Sequence, residues 1–340
     1  MSDALQSQLQ AYYTRAFPAK QGVQISNLAS ITGGMDHEMY AFDVAYGPAG
    51  AREHEGLVLR IYPRDNAYAT SAHEFHGMRR LHEAGYPVPQ VLLLERETSP
   101  FGKPFVMMER IEGHALGPLL FSAPEKQQRL LLTLLCALLA RLHVLDWRPF
   151  VDDIARYETG GPYVFVDQGM RLAYDTLRRF PTWDLLPFIK WLEERREQVP
   201  CLRPSLVHGD FHPWNVLLRD DGSAVVIDWQ GLQVWDARRD VAWVVMVMTA
   251  FGRAEWREPI LREYEHLTGA KVEQIEYFEV GACISFLLIL LIAVSEGAEK
   301  MHPNAVAMTQ MGAFKRAYNL LQERTGIRWV AVERLLASLS

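Results

Sequence analysis

The sequence is poor in cysteine and has no long apolar run. Its three cysteines, Cys136, Cys201 and Cys283, lie far apart and form no CxxC pair. That excludes a disulfide framework or a structural zinc site and fits a reducing, cytoplasmic setting. The most apolar stretch, GACISFLLILLIAV at residues 281–294, has fourteen residues, against roughly 20 needed to cross a bilayer. It reads as a buried core helix, and no membrane partner is expected. The N-terminal stretch MSDALQSQLQAYYTRAF lacks a basic segment followed by an apolar one, so no secretion signal is expected. Basic charge is also short: the formal net charge is −6, whereas a nucleic-acid binder would show a basic face. There is no Walker A motif, no complete GxGxxG and no internal repeat.

What is present is an ordinary globular composition, 49% hydrophobic and 22% charged, over 340 residues. That length suffices for two packed regions. Short β-rich runs (GVQISNLAS, HEMYAFDVAYG, GLVLRIYP, QVLLLERE and PFVMMERIEG) occupy the first third, separated by turn signals. One helix interrupts them, TSAHEFHGMRRLHEAG, with Ser71 as its expected N-cap and Gly85 as its stop. After Gly113 the pattern becomes helical, beginning with residues 124–147, where Ser122 and Glu125 are spaced as a capping box. Further helices are expected near 165–180, 183–197, 238–251, 255–267, 271–297 and 305–323. The expected division is a β-rich region, 1–110, and a mainly helical region, 111–340. The fold class is α+β, and a cleft between such regions is a usual place for a ligand.

The densest polar cluster is LVHGDFHPWNVLL, residues 206–218. Asp210 precedes Asn215 by five positions, and Asp228 follows Asn215 by thirteen. The segment NVLLRDDGSAVVIDW reads as a hairpin about Asp220, Asp221 and Gly222, which brings Asn215 and Asp228 to one end. This leaves one carboxylate for proton handling and an oxygen pair suited to magnesium, which takes hard oxygen ligands. Phosphoryl transfer asks for those parts.

HGDFHPWNVL followed by VIDW resembles the catalytic and metal-binding segments of the aminoglycoside phosphotransferase and choline kinase family. The resemblance extends over most of the chain, from about Ile25 to Gly326, and is sharpest over 206–243. It implies a bilobal protein-kinase-like fold, with a small antiparallel sheet carrying one helix and a larger helical lobe. It further implies a magnesium-dependent transfer of the γ-phosphoryl group from ATP or GTP to a hydroxyl of a small molecule. By that resemblance Asp210 is the catalytic aspartate, Asn215 and Asp228 bind magnesium, and His208 and Asp240 brace the catalytic loop. Gly33 and Gly34 stand in the hairpin that covers the triphosphate, and Met108 lies in the segment 108–110 that meets adenine. The strand that normally carries a phosphate-contacting lysine has Arg60 instead. Arginine keeps the charge but presents a planar fork, and its expected partner is Glu74.

Several of these residues also fit a different role. Ser71 and Glu74 have capping-box spacing, which would account for the glutamate without a ligand. His208, Asp210 and His212 alternate as ligands on a strand would, the pattern of a metal-dependent hydrolase, although Pro213 follows at once and Asn215 and Asp228 are left unexplained. Arg60 in place of lysine is the best support for a non-catalytic nucleotide-binding module on a kinase-like scaffold. The aromatic residues Trp183, Trp191, Trp235, Trp243, Trp256, Tyr163 and Phe165 read mostly as core. Asp152, Asp153, Asp236, Glu255 and Glu258 are candidates for attracting a cationic acceptor, with solvated surface charge as the competing reading for each.

Overall fold

The computed structural model describes residues 2–31, 38–62, 67–96, 101–180, 184–295 and 308–338. In chain order its main elements are α1 (Ser2–Ala16), β1 (Gln24–Ser30), β2 (Glu38–Tyr46), β3 (Glu53–Ile61), α2 (Ala67–Glu83), β4 (Val91–Glu95), β5 (Phe105–Glu109), β6 (His114–Ala115), α3 (Leu116–Ser122), α4 (Glu125–His143), α5 (Ile154–Thr159), α6 (Val164–Arg179) and α7 (Leu186–Glu194). They continue with β7 (Pro204–Val207), β8 (Val216–Leu218), β9 (Ala224–Val226), β10 (Gln233–Asp236), α8 (Arg238–Ala250), α9 (Arg257–Thr268), α10 (Ile275–Ser295), α11 (Met308–Thr325) and α12 (Val330–Ser338). Two compact units result: Met1–Leu116 with Trp214–Gln230, and Gly117–Pro213 with Gly231–Ser340. The chain thus returns to the first unit for seventeen residues (230 − 214 + 1), a return that a single division at residues 110/111 does not contain.

The first unit is built on an antiparallel sheet in the order β1-β2-β3-β5-β4. Its inward residues Phe42, Val44, Leu57, Leu59, Ile61, Phe105 and Met107 are nearly all fully buried, as the period-two alternation of a half-buried strand requires. Leu9 and Tyr13 of α1 complete this core. Glutamine side chains anchor the helix: Gln6 Nε2 donates to Ile25 O, and Gln10 Oε1 accepts from Ile25 N. The apolar residues Leu5, Leu9, Tyr12 and Tyr13 recur at helical spacing, but the partner that anchors the helix, Ile25, is set by tertiary structure.

The β8–β9 hairpin belongs to the same unit. β6 pairs with β8, Val226 N donates to Pro87 O at 2.9 Å, and Arg219 reaches Glu109 at the end of β5 at 2.7 Å. The second unit is mainly helical, with α8 packed on α10 and α11 and α4 on α9. Its β7 and β10 form an antiparallel pair in which Val207 faces Gln233. α10 contains the apolar stretch 281–294, and among the described residues no helix is long and apolar enough to cross a membrane.

Two expected caps differ from the structure. α2 begins at Ala67, so Ser71 lies inside it and its hydroxyl donates to Tyr68 O. Ser122 likewise closes α3, donating to Pro118 O, while Pro124 occupies the N-cap of α4 without a side-chain bond. For Ser71 a helical turn precedes the serine, so the backbone N–H groups a cap would satisfy are already paired; for Ser122, Pro124 two residues on has no N–H to receive a cap.

Candidate active site

In the first unit, Arg60 on β3 is 5% exposed. It donates to Glu74 Oε1 on α2 at 2.8 Å and lies 3.4 Å from Asp228 Oδ1. The second oxygen of Glu74 accepts from the Tyr62 hydroxyl. Glu74 is 1% exposed, and both its oxygens are engaged by tertiary partners, so it does not serve as a capping-box glutamate. Burial opposes the charge on Arg60, but Glu74, Tyr62 and Asp228 outweigh it and keep the guanidinium above its ordinary pKa. Burial pushes the Glu74 carboxyl up, against the pull of Arg60 and Tyr62. A buried pair of this kind is costly to break from one side, because the surviving charge loses its compensation.

Asp228 follows β9 at a φ of +68°, a left-handed conformation that aspartate tolerates better than most residues. Trp229 holds this bend in place: it is fully buried, its indole donates to Val226 O, and its ring meets Tyr86 edge to face at 5.5 Å. Gln230 Nε2 donates to Asp228 Oδ1 at 2.9 Å, a contact with no signal in the sequence beyond adjacency. At the other arm of the hairpin Asn215 O accepts from Ile227 N at 2.9 Å. The register Val216 to Val226 therefore continues outward and brings Asn215 and Asp228 to the same end. An amide oxygen and a carboxylate make a hard donor set that fits magnesium, with phosphate oxygens and water to complete it.

Gly33 and Gly34 lie outside the described residues. Met108 is 7% exposed on β5, an interior strand that pairs with both β3 and β4. The N–H groups of Glu109 and Arg110 donate to Gln90 O and Gly56 O. Two backbone N–H groups of the segment 108–110, expected to meet adenine, thus bond within the first unit. Pairing on both sides follows from β5 lying second from the sheet edge, with an irregularity in its β4 partner between Val91 and Leu93.

In the second unit, the HGD stretch turns sharply out of β7. Gly209 has a φ of +83°, and a Cβ there would stand 2.7 Å from Gly231 O. A Cβ on Gly231 would stand 2.6 Å from His208 O, so each glycine permits the close passage of the other strand. Gly231 does not stand out in the sequence because its need is tertiary. Asp240, at the start of α8, is fully buried and accepts from His208 N at 2.6 Å and Gly209 N at 3.0 Å. His143 Nε2 lies 3.4 Å away, and its Nδ1 is 2.7 Å from the Tyr264 hydroxyl. Burial alone would raise the Asp240 pKa, yet His143, His208 and the backbone N–H bonds hold it below the usual carboxylate value.

Asp210 is oriented from both sides. Its N–H donates to His208 Nδ1 at 3.2 Å, and its Oδ1 accepts from Trp243 Nε1 at 2.8 Å. His212 Nε2 is 3.4 Å from the same oxygen. Trp243 is therefore part of the site, where its sequence context suggests core. A usable signal is its position three residues after Asp240, which places both on one face of α8. His208, fully buried, spends Nδ1 on the loop backbone. Among the described residues no group of three His, Cys, Asp or Glu side chains is disposed to hold a metal, which argues against the hydrolase reading. Four of the five acidic residues considered for a cationic acceptor serve local ends. Asp236 pairs with Arg238, Asp153 caps α5, Glu255 meets Arg253 and Glu258 meets Arg257.

Comparison with known proteins identifies the family of the chain. Residues 28–275 match the model of the phosphotransferase enzyme family, APH, and the chain belongs to that family, whose fold is protein-kinase-like. Acyl-CoA dehydrogenase family member 10 of Mus musculus is 30% identical over 197 residues, 55% of this chain and 18% of that protein. A second relative, from Gallus gallus, is matched over 23% of its length, so the chain spans about a fifth of the curated relatives it matches. Among solved structures, a Ralstonia eutropha protein assigned to the aminoglycoside phosphotransferases superposes with a TM-score of 0.67 at 17% identity, covering 98% of both chains. The GDP and kanamycin complex of APH(2")-IIIa gives 0.58 at 17% identity, over 93% of this chain and 98% of that one. At these identities the structural likeness speaks for the fold.

Proposed function

We propose that the protein transfers the γ-phosphoryl group of ATP or GTP to a hydroxyl of a small molecule, with magnesium as cofactor. The observation that carries this reading is the contact of Arg60 with both Glu74 and Asp228 in one unit. It sets a fixed positive charge beside the carboxylate that ends the hairpin, where a charged triphosphate and its cation would be received. Asn215 and Asp228 would hold the magnesium ion, which when bound offsets charge on the triphosphate. Arg60 grips phosphate oxygens through its fork. Asp210 orients the acceptor hydroxyl and takes its proton late in the transfer. The hydroxyl oxygen forms the new bond to the γ-phosphorus while the bond from that phosphorus to the β–γ bridging oxygen breaks. The nucleoside diphosphate is the leaving group.

Replacement of Asp228 by Ala is expected to weaken magnesium–nucleotide binding by at least about tenfold, measured by calorimetry with and without the metal. Unchanged binding of the magnesium complex would remove Asp228 from the metal site. For Arg60, the Lys variant is expected to retain most nucleotide affinity and the Ala variant to lose about ten- to a hundredfold. The Ala variant also leaves Glu74 buried without its cation, so its unfolding midpoint should fall while that of the Lys variant changes less. An Ala variant with full affinity would refute the charge argument.

A further inference from the structure

The second unit contains a cavity of about 460 Å³ that reaches Gly209, the residue before Asp210. It is lined on one side by Gly209 and by Trp243, the residue whose indole holds the Asp210 carboxylate at 2.8 Å. The rest of the wall is apolar, with Phe165, Met170, Phe188 and Leu288 among its members. Among its described lining residues there is no aspartate or glutamate, and the single charged side chain is Arg239. A wider groove of about 1080 Å³ elsewhere in the unit, lined by Asp146, Arg203 and Lys271, reaches neither Gly209 nor Trp243.

Arg239 is partly buried. Its guanidinium stands over the Trp235 ring at 5.1 Å from the centroid, and among the described residues it has no hydrogen bond or ion pair. Asp240, its neighbour in sequence, is already turned to the N–H groups of His208 and Gly209. Burial pulls the Arg239 pKa down, opposed by Asp240 alone. Arginine keeps its proton, and its planar fork in the cavity wall matches a carboxylate. A polycationic acceptor fits poorly here, since each ammonium taken into an apolar wall needs a carboxylate to meet it.

We propose that the acceptor is an apolar hydroxylated compound with an anionic end, a long-chain hydroxy carboxylate, whose chain fills this cavity, whose carboxylate pairs with Arg239 and whose hydroxyl meets Asp210. The assignment rests on the phosphotransferase reading above and adds the acceptor class to it. The product is a phosphate monoester of that hydroxyl, with nucleoside diphosphate as the other product and the hydroxyl proton passed to Asp210.

The test uses a matched series with the hydroxyl at one end: ω-hydroxyhexanoate, ω-hydroxyoctanoate and ω-hydroxydodecanoate, their methyl esters, the corresponding amino alcohols, and kanamycin. Phosphorylated product is measured by mass spectrometry with ATP or GTP and magnesium, and binding by calorimetry. The free acids are expected to be preferred over esters and amines. Arg239→Gln should cut kcat/KM for the best acid about ten- to a hundredfold, a loss at least several times larger than for its ester. Preference for the amine or kanamycin, or equal losses on acid and ester, would overturn the inference and leave phosphoryl transfer standing. If no acceptor is phosphorylated but the acids bind in an Arg239-dependent way, the cavity assignment holds and the phosphotransferase reading fails. No binding of any acid would overturn the assignment itself.

Discussion

Asp210→Asn is expected to lower kcat by roughly 10²–10⁴-fold, while the affinity for magnesium nucleotide changes little. Asparagine has nearly the same shape, and its amide oxygen can still accept from the Trp243 indole, which stands 2.8 Å from Asp210 Oδ1. The loop geometry, set by the Asp210 N–H to His208 Nδ1 bond and the Gly209 turn, is untouched by the change. What is lost is the capacity to take a proton. The side chain is 45% exposed, so little stability depends on it, and a loss of activity without a shift in unfolding midpoint separates chemistry from folding. Full activity in this variant would remove Asp210 from its assigned role.

The second large effect belongs to Asp240, which touches no reacting atom and acts by positioning. Asp240→Ala leaves the N–H groups of His208 and Gly209 without their buried acceptor and His143 without its carboxylate neighbour. Stability is expected to fall by about 3–5 kcal/mol, read from denaturant midpoints. Asp240→Asn keeps one acceptor oxygen and should lie between the Ala variant and the parent. Because Asp210 is two residues from His208, the Asn variant should also lose kcat while KM for nucleotide is nearly kept. A purely structural role would move the unfolding midpoint and leave that ratio alone. An Ala variant as stable as the parent would contradict the bracing geometry.

The legible parts of this molecule are those where local pattern and tertiary need agree. Alternating apolar residues mark β2 and β3, and the Asp220–Gly222 turn marks the hairpin that carries Asn215 and Asp228. The spacing from Asp210 to Asp228 points to one kind of chemistry because three polar residues at fixed offsets are hard to explain separately. The illegible parts depend on distant partners. α1 is held by glutamines reaching Ile25 and by Tyr13 in a core formed by later strands. Trp243 looks like any aromatic on an apolar helix until its indole is seen on Asp210. Arg239 reads as one of two adjacent arginines, yet Arg238 meets Asp236 at 2.7 Å while Arg239 lines a cavity. Ser71 misleads for the opposite reason: a good local cap signal is overridden by a helix that starts four residues earlier.

The most direct test of phosphoryl transfer follows the γ-phosphate itself. Purified protein is incubated with γ-labelled ATP or GTP, magnesium and the hydroxy-acid, amino-alcohol and aminoglycoside panel, and the labelled products are separated. The account predicts label in a phosphate ester of an acceptor hydroxyl, abolished by chelating the metal. Label appearing only as inorganic phosphate, or staying on the nucleotide with every acceptor, would contradict it.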